Sequence, residues 1–319
     1  MESFYLEPRD ANKKGTTKMR FHRQKLRMAL VFTAHNRKEK TKKFLDFWSS
    51  FAHPFVEISI FACDDGSVDG TRDLMEEYCQ NYSIGSGALF WAGGMRRAYE
   101  LIDIEKFDAL IVANDDIYLK ASEVRAIIDQ FCNDMLSIHI GKFVDEKGLY
   151  SYGGLRQNKF FRASFKLSEN DEEVDTFNMN FAIIPTQLIK RIGFLSKSYT
   201  HSKADIDFGL RAKVDGVNFR VYPVPLGICN RNSDYRTSKD RSLGFVQRWR
   251  LLLSTKEQPI KERIVFCSKH GGWFWPLLVV QPYLELIIDT AFMKSVSWWR
   301  WLKHAFSSVR ASLKLFWGD

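Results

Sequence analysis

Three short runs of acidic residues carry the chemistry that this sequence can offer. The first is Ala62-Cys63-Asp64-Asp65-Gly66-Ser67-Val68-Asp69-Gly70-Thr71, where two adjacent carboxylates precede a Gly-Ser turn and a helix start at Asp69 or Thr71. Carboxylates so placed can hold a nucleoside by its base and ribose edges. The same residue types suit an acidic turn and a helix N-cap, so this run read alone leaves both uses open. The second run is Asn114-Asp115-Asp116. Hard oxygen ligands of this kind hold Mg2+ or Mn2+, which keep several waters and bind substrate phosphates through one or two carboxylates. The third is Ala204-Asp205-Ile206-Asp207-Phe208-Gly209-Leu210-Arg211. Asp207 stands four residues before Arg211, the spacing of a helical ion pair. Asp205 is left to serve as a general base, which needs hydrogen-bond reach to an acceptor hydroxyl.

The first two runs each follow an element able to position them. Residues 56–61 (Val-Glu-Ile-Ser-Ile-Phe) and 107–113 (Phe-Asp-Ala-Leu-Ile-Val-Ala) read as buried strands, and 28–34 forms another before the loop His35-Asn36-Arg37. Parallel strands deliver their C-terminal ends into the crevice where ligands bind. Between them the pattern predicts a helix through about residue 51 with Phe44, Trp48 and Phe51 on one face, and a helix over about 70–80 with Leu74 and Tyr78 inward. A glycine-rich stretch at 85–94 then feeds a helix over about 95–104. Residues 138–184 read as short strand-like pieces, and 205–213 as helical. Strands alternating with helices predict an α/β fold around a doubly wound, mostly parallel sheet with right-handed crossovers.

Taken together and in order, these motifs resemble those of the family 2 glycosyltransferases, enzymes that use nucleotide-sugar donors on the GT-A fold. The matching pieces are Thr33-Ala34-His35-Asn36-Arg37, the Asp-Asp-Gly-Ser-x-Asp-Gly-Thr run at 64–71, Asn114-Asp115-Asp116 for the Asp-x-Asp element, and 204–211 for the base motif. Leu89-Phe90-Trp91-Ala92-Gly93-Gly94-Met95 and the Asn-Asp-Asp variant resemble a bacterial subgroup that builds cell-surface polysaccharides. The resemblance covers residues 28–232. It implies a Rossmann-like central sheet flanked by helices, an inverting mechanism and a metal cofactor, Mg2+ or Mn2+. It makes Asp64 or Asp65 the contact to the nucleobase, with Thr33, His35 and Asn36 lining that pocket. Asp116 would hold the metal and diphosphate, Asp115 would stand beside it in the donor site, and Asp205 would be the base. Two departures stand out: the family's Glu before the base is Ala204, and Cys229-Asn230 stands where many relatives place a metal-binding His.

Further candidates are Gly93 and Arg97 for the nucleotide sugar, with Arg96 beside them, because Arg presents a bidentate fork to phosphate. Asn178, Asn180, His201 and Asp207 are candidates for the acceptor side or for supporting the site. Two rival readings are a nucleotidyltransferase that makes nucleotide sugars and a catalytically inactive membrane-bound scaffold of the same fold. The former wants a glycine-rich loop after the first strand, and residues 33–37 contain no glycine.

The chain of 319 residues is 45% hydrophobic and 27% charged, with a formal net charge of +9. That charge sits at the ends. Residues 1–27 carry eight Lys and Arg against three acids, residues 290–319 carry five against one, and the 262 residues between them balance at 34 of each. A neutral body with basic ends does not track a phosphate backbone, which excludes nucleic acid as the expected partner. It suits the anionic inner surface of the cell membrane. In the tail, Trp299, Leu302, Phe306, Val309, Leu313 and Phe316 recur at helical spacing with Arg300, Lys303, Arg310 and Lys314 off the stripe. This pattern predicts an amphipathic helix lying in a membrane interface and brings a lipid-linked or oligosaccharide acceptor within reach. Residues 273–293 are apolar but interrupted by Pro276, Gln281, Pro282, Glu285 and Asp289, so no spanning helix is expected. Five scattered cysteines and the lack of an apolar leader predict a cytoplasmic protein with reduced thiols. The expected organisation is a basic extension (1–27), a GT-A domain (28–232) and a membrane-associating helical region (233–319).

Overall fold

In the computed structural model, residues 25–168, 173–231 and 233–292 are described. The apolar run Leu26–Ala34 forms β1 and is buried from Met28 onward, as expected of a strand covered on both faces. Strand β1 lies parallel to β2 (Val56–Asp64), with Ala34 opposite Asp64 at their C-terminal ends. Helix α1 (Lys38–Ser50) connects them, and α2 (Thr71–Tyr78) leads to β3 (Asn81–Ile84), which is parallel to β2. Helix α3 (Phe90–Tyr99) precedes β4 (Ala109–Ala113), parallel to β1 on its other side. Beyond β5 (Tyr118–Leu119) and α4 (Ala121–Asn133), the chain builds β6 (Ile138–Val144) and the short strands β7 (Tyr150–Tyr152), β8 (Gly154–Gln157), β9 (Phe165–Leu167) and β10 (Thr176–Phe177). Then come β11 (Phe181–Pro185), α5 (Thr186–Ile192), α6 (Ala204–Val214), β12 (Phe219–Ile228), α7 (Phe245–Leu252) and α8 (Ile260–His270). A last helix runs over residues 275–292.

The main sheet has the order β3-β2-β1-β4-β11-β6-β12-β5, with β7 paired to β6. Its β3-β2-β1-β4 half is parallel, as the alternating pattern predicts. Beyond β4 it is mixed, because β11 runs antiparallel to both β4 and β6. Strand β12 then runs parallel to β6 and antiparallel to β5. Strands β10, β8 and β9 form a separate small sheet.

Alternation along β1 sends its side chains into two cores. Met28, Leu30 and Phe32 meet Phe44, Leu45 and Trp48 of α1 and Ile127, Ile128 and Phe131 of α4. Ala29 and Val31 meet Ala92, Met95 and Ala98 of α3, Phe208 of α6, and Phe266 and Cys267 of α8. Residues after 233 therefore share the core of the first strand. Helix α3 begins five residues earlier than the sequence pattern suggests, so Gly93 and Gly94 lie inside it, both buried. A methyl group on Gly94 would overlap Thr33 Oγ1, so this glycine lets α3 approach β1 closely. The tail stripe from Trp299 to Phe316 and the first 24 residues lie outside the described residues. Among the described residues no helix is long and apolar enough to cross a membrane, and no disulfide forms.

Candidate active site

The C-terminal ends of β1, β2 and β4 open into a cleft of about 760 Å3, closed on its other side by the start of α6. Asp65 and Asp64 end β2 differently. Asp64 is fully buried, and its carboxylate accepts the Ser67 N–H at 3.2 and 3.1 Å, which fixes the turn. It lies outside the cleft lining. Asp65 lines the cleft, its Oδ1 accepting the Gly87 N–H (2.8 Å) and its Oδ2 the Phe90 N–H (2.9 Å). A carboxylate offers about four lone-pair sites, so Asp65 retains capacity for a ligand.

The loop after β1 is held just as firmly. His35 Nδ1 donates to the Asp65 carbonyl (2.5 Å), which leaves Nε2 to accept from Asn36 Nδ2 (3.1 Å), and these partners assign the tautomer. Asn36 Oδ1 accepts the Val68 N–H (2.8 Å). Among the described residues, four non-glycine residues have left-handed φ, and three of them, Asn36, Phe90 and Lys203, line this cleft. Such backbone strain gathers where a surrounding structure overdetermines a site.

At the end of β4, Asp115 and Asp116 share one cation. Arg37 Nη1 donates to Asp115 Oδ1 (3.1 Å) and Asp116 Oδ2 (3.0 Å), while Thr41 Oγ1 donates to Asp115 Oδ2 (2.8 Å). Burial works against the Arg37 charge, yet the two carboxylates hold its pKa above the usual value. Asn114 is turned to structural use, its Oδ1 accepting the Trp91 Nε1–H at 2.8 Å.

On α6, Asp205 lies in the first turn and lines the cleft. Its carboxylate accepts the Ile206 N–H (2.8 Å) and also bonds the Asn178 side chain and the Met179 backbone. Burial pushes its pKa up, against those hydrogen bonds. Asp207 faces the other way and is fully buried among Arg211 (2.9 Å), His270 (2.8 Å) and the Tyr199 hydroxyl (3.3 Å). Burial opposes its charge, but His270 and Arg211 hold it below the usual carboxylate range. The two acids of this motif are thus separated by environment: one faces the cleft, and one fastens the helix.

Thr33, Asn178, Asn180 and His201 also line the cleft. Burial lowers the pKa of His201, with Lys256 and Arg37 acting in the same direction. Asn180 Nδ2 donates to Cys229 Sγ (3.5 Å), and burial pushes that thiol up to about 12. Gly93 and Arg97 are placed elsewhere, Gly93 inside α3 and Arg97 paired with Glu100 at 3.2 Å. Arg96 bonds the carbonyls of Ser196 and Tyr199 (both 2.9 Å), fastening α3 to the segment before α6.

Lys203 and Lys256 also line the cleft, though no motif marks them. Lys203 Nζ donates to Gln258 (2.9 Å) and lies 4.9 Å from the Phe266 ring centre, and burial lowers its pKa to about 7. It belongs to a wider clamp. Thr200 N–H donates to Glu262 (3.1 Å) and Ser202 Oγ to the Glu257 carbonyl (2.9 Å), so the segment before Asp205 hangs on the loop between α7 and α8 and on the first turn of α8. Arg263 ties that loop to the helix over 275–292, donating to Gln258 and to the carbonyls of Leu278 and Val279.

Asp116 would be the residue to hold a divalent cation, in the one-carboxylate manner that leaves other positions to water and phosphate oxygens. Asp115 is engaged by Thr41 and Arg37, and the protonated Cys229 thiol is no ligand for a hard cation. Among the described residues no cluster of three or more His, Cys, Asp or Glu side chains forms a metal cage.

No protein-family model and no curated protein matches the chain. Among solved structures it is similar to the mannosyltransferase PcManGT from Pyrobaculum calidifontis in complex with GDP-Man and Mn2+. Identity is 13%, the match covers 92% of this chain and 81% of that one, and the TM-score is 0.48. It is also similar to residues 1–349 of S. aureus TarS, in complex with UDP-GlcNAc (12% identity, 77% and 71% covered, TM-score 0.48) and with UDP (12%, 76% and 70%, 0.49).

Proposed function

We propose that this protein is an inverting glycosyltransferase that moves a hexosyl or deoxyhexosyl group from a nucleotide sugar to a saccharide acceptor. One observation carries the reading: Asp205, whose pKa burial raises, lines the same cleft as Asp65 and Asp116. Asp65, with Thr33, His35 and Asn36, receives the nucleoside at the ends of β1 and β2. Asp116 stands at the diphosphate. Asp205 takes the proton of an acceptor hydroxyl as that oxygen bonds the anomeric carbon, and the bond from that carbon to the diphosphate oxygen breaks on the opposite face. A divalent cation at Asp116 would neutralise charge on the departing diphosphate. Asn178 and the Met179 backbone orient the Asp205 carboxylate.

The acceptor we propose is lipid-linked, in surface polysaccharide synthesis at the inner face of the cell membrane. Support comes from Trp273, Leu277, Leu284 and Ile288, apolar residues at helical spacing that are 92%, 64%, 51% and 67% exposed. They lead directly into the basic tail. Apolar burial plus basic attraction is how an interfacial helix holds a bilayer. Vesicle co-sedimentation tests this point, with pelleting on anionic but not neutral vesicles as the expected result.

The test of the activity is a panel of nucleotide sugars screened for thermal stabilisation and hydrolysis, with and without Mn2+. A ligand present at a hundred times its Kd stabilises by about 2.7 kcal/mol. A panel in which no nucleotide sugar shifts the melting temperature or is hydrolysed would refute the reading.

A further inference from the structure

Arg37 already occupies one oxygen of the Asp116 carboxylate that would take a cation. Its guanidinium lies within 3.1 Å of an oxygen from each of the adjacent carboxylates. Asp115 is 2% exposed and its second oxygen is engaged by Thr41, so Asp115 cannot turn to accommodate a metal. Asp116 is 19% exposed and Arg37 is 45% exposed, so these two side chains are the movable members of the trio. A free divalent ion approaching Asp116 meets the positive charge of Arg37 beside the carboxylate, which opposes its binding. A diphosphate changes that balance, because guanidinium presents a bidentate fork to phosphate oxygens and can leave the carboxylate for them.

We propose that Arg37 is the resident counter-ion of the Asp115–Asp116 pair, displaced onto the diphosphate when donor and metal bind, so that the metal enters only together with the nucleotide. This deepens the glycosyl-transfer reading and rests on it for the identity of the anion. Metal and nucleotide are then coupled ligands, each raising the affinity of the other by the same factor. The acidic pair is not an open site waiting for its ion. Here the site carries its own cation and exchanges it.

The experiment titrates Mn2+ alone into the full chain, following free Mn2+ by electron paramagnetic resonance, and repeats the titration with UDP or GDP present. The wild-type protein is expected to bind Mn2+ weakly alone and at least tenfold more tightly with the nucleotide it accepts. Arg37→Gln is expected to bind Mn2+ alone at least tenfold more tightly than wild type and to lose most of the coupling. Arg37→Lys keeps the charge, so its Mn2+ affinity should stay within about threefold of wild type. That variant keeps the test decisive if the glutamine protein folds poorly, because tightening in Arg37→Lys as well would overturn the counter-ion role. Unchanged or weaker Mn2+ binding in a folded Arg37→Gln protein would overturn it too. Tightening in Arg37→Gln with neither UDP nor GDP bound by any variant would support the counter-ion and refute transfer from a UDP- or GDP-sugar.

Discussion

Asp205→Asn and Asp207→Asn, two residues apart on one helix, should fail in opposite ways. Asp205 faces the cleft, and an amide keeps its shape and one acceptor oxygen while losing the ability to take a proton. Loss of a general base costs about 10²–10⁴ in rate, so turnover should fall by that factor while nucleotide binding and melting temperature hold. Asp207 is fully buried against Arg211 and His270. Breaking a buried ion pair costs about 3–5 kcal/mol, and an amide that keeps one hydrogen bond falls at the lower end of that range. At about 2–4 °C per kcal/mol for a chain of this order of size, the melting temperature should drop by roughly 10 °C. Burial raises the Asp205 pKa, and a base must be ionised to act, so turnover of the wild type should fall as pH drops through a value above the ordinary 3.8. Scanning calorimetry and a coupled nucleoside-diphosphate release assay read both effects. An active Asp205→Asn beside a stable, inactive Asp207→Asn would show that the wrong acid carries the proton.

Trp91→Phe removes the Nε1–H bond to Asn114 next to the acidic pair. The net loss of about 1 kcal/mol of stability should lower the melting temperature by about 2–4 °C in scanning calorimetry. Gly94→Ala forces a methyl into Thr33 and should cost about 1–3 kcal/mol of stability by denaturant titration. Lys203 has its pKa lowered from 10.5 to about 7 in the fold, so between those values the unfolded chain binds more protons and stability should rise with pH. Lys203→Met should flatten that rise in urea titrations across the same window. A chain ending at residue 232 should not melt cooperatively, because Phe266, Cys267 and Leu278 are missing from the core around β1.

The parallel half of the sheet was legible because residues 28–34, 56–61 and 107–113 are nearly unbroken apolar runs, and such runs need cover on both faces. The mixed half was not, since short strands in 138–184 carry no sign of which neighbour they choose. That Asp65 and Asp116 follow strand ends and Asp205 begins a helix could be read from turn chemistry and charge. The separation of Asp64 from Asp65 could not, because it depends on which way each side chain leaves the end of β2. Gly93 read as a loop residue because glycine pairs punctuate loops more often than they permit close packing of a helix on a strand. Lys203 and Lys256 were invisible because the loop between α7 and α8 reaches the cleft only through tertiary contacts.

The clamp on the segment before Asp205 bears on how far this chain can be treated as modular. Glu257, Gln258 and Glu262 lie more than 50 positions from Asp205, yet they hold Thr200, Ser202 and Lys203 in place. A chimera that kept residues 28–232 and borrowed its remaining helices from another protein would inherit an Asp205 whose supports had been fitted to a different loop. Recombination at that boundary is therefore disfavoured, because residues 257–262 and the segment before Asp205 must be exchanged together.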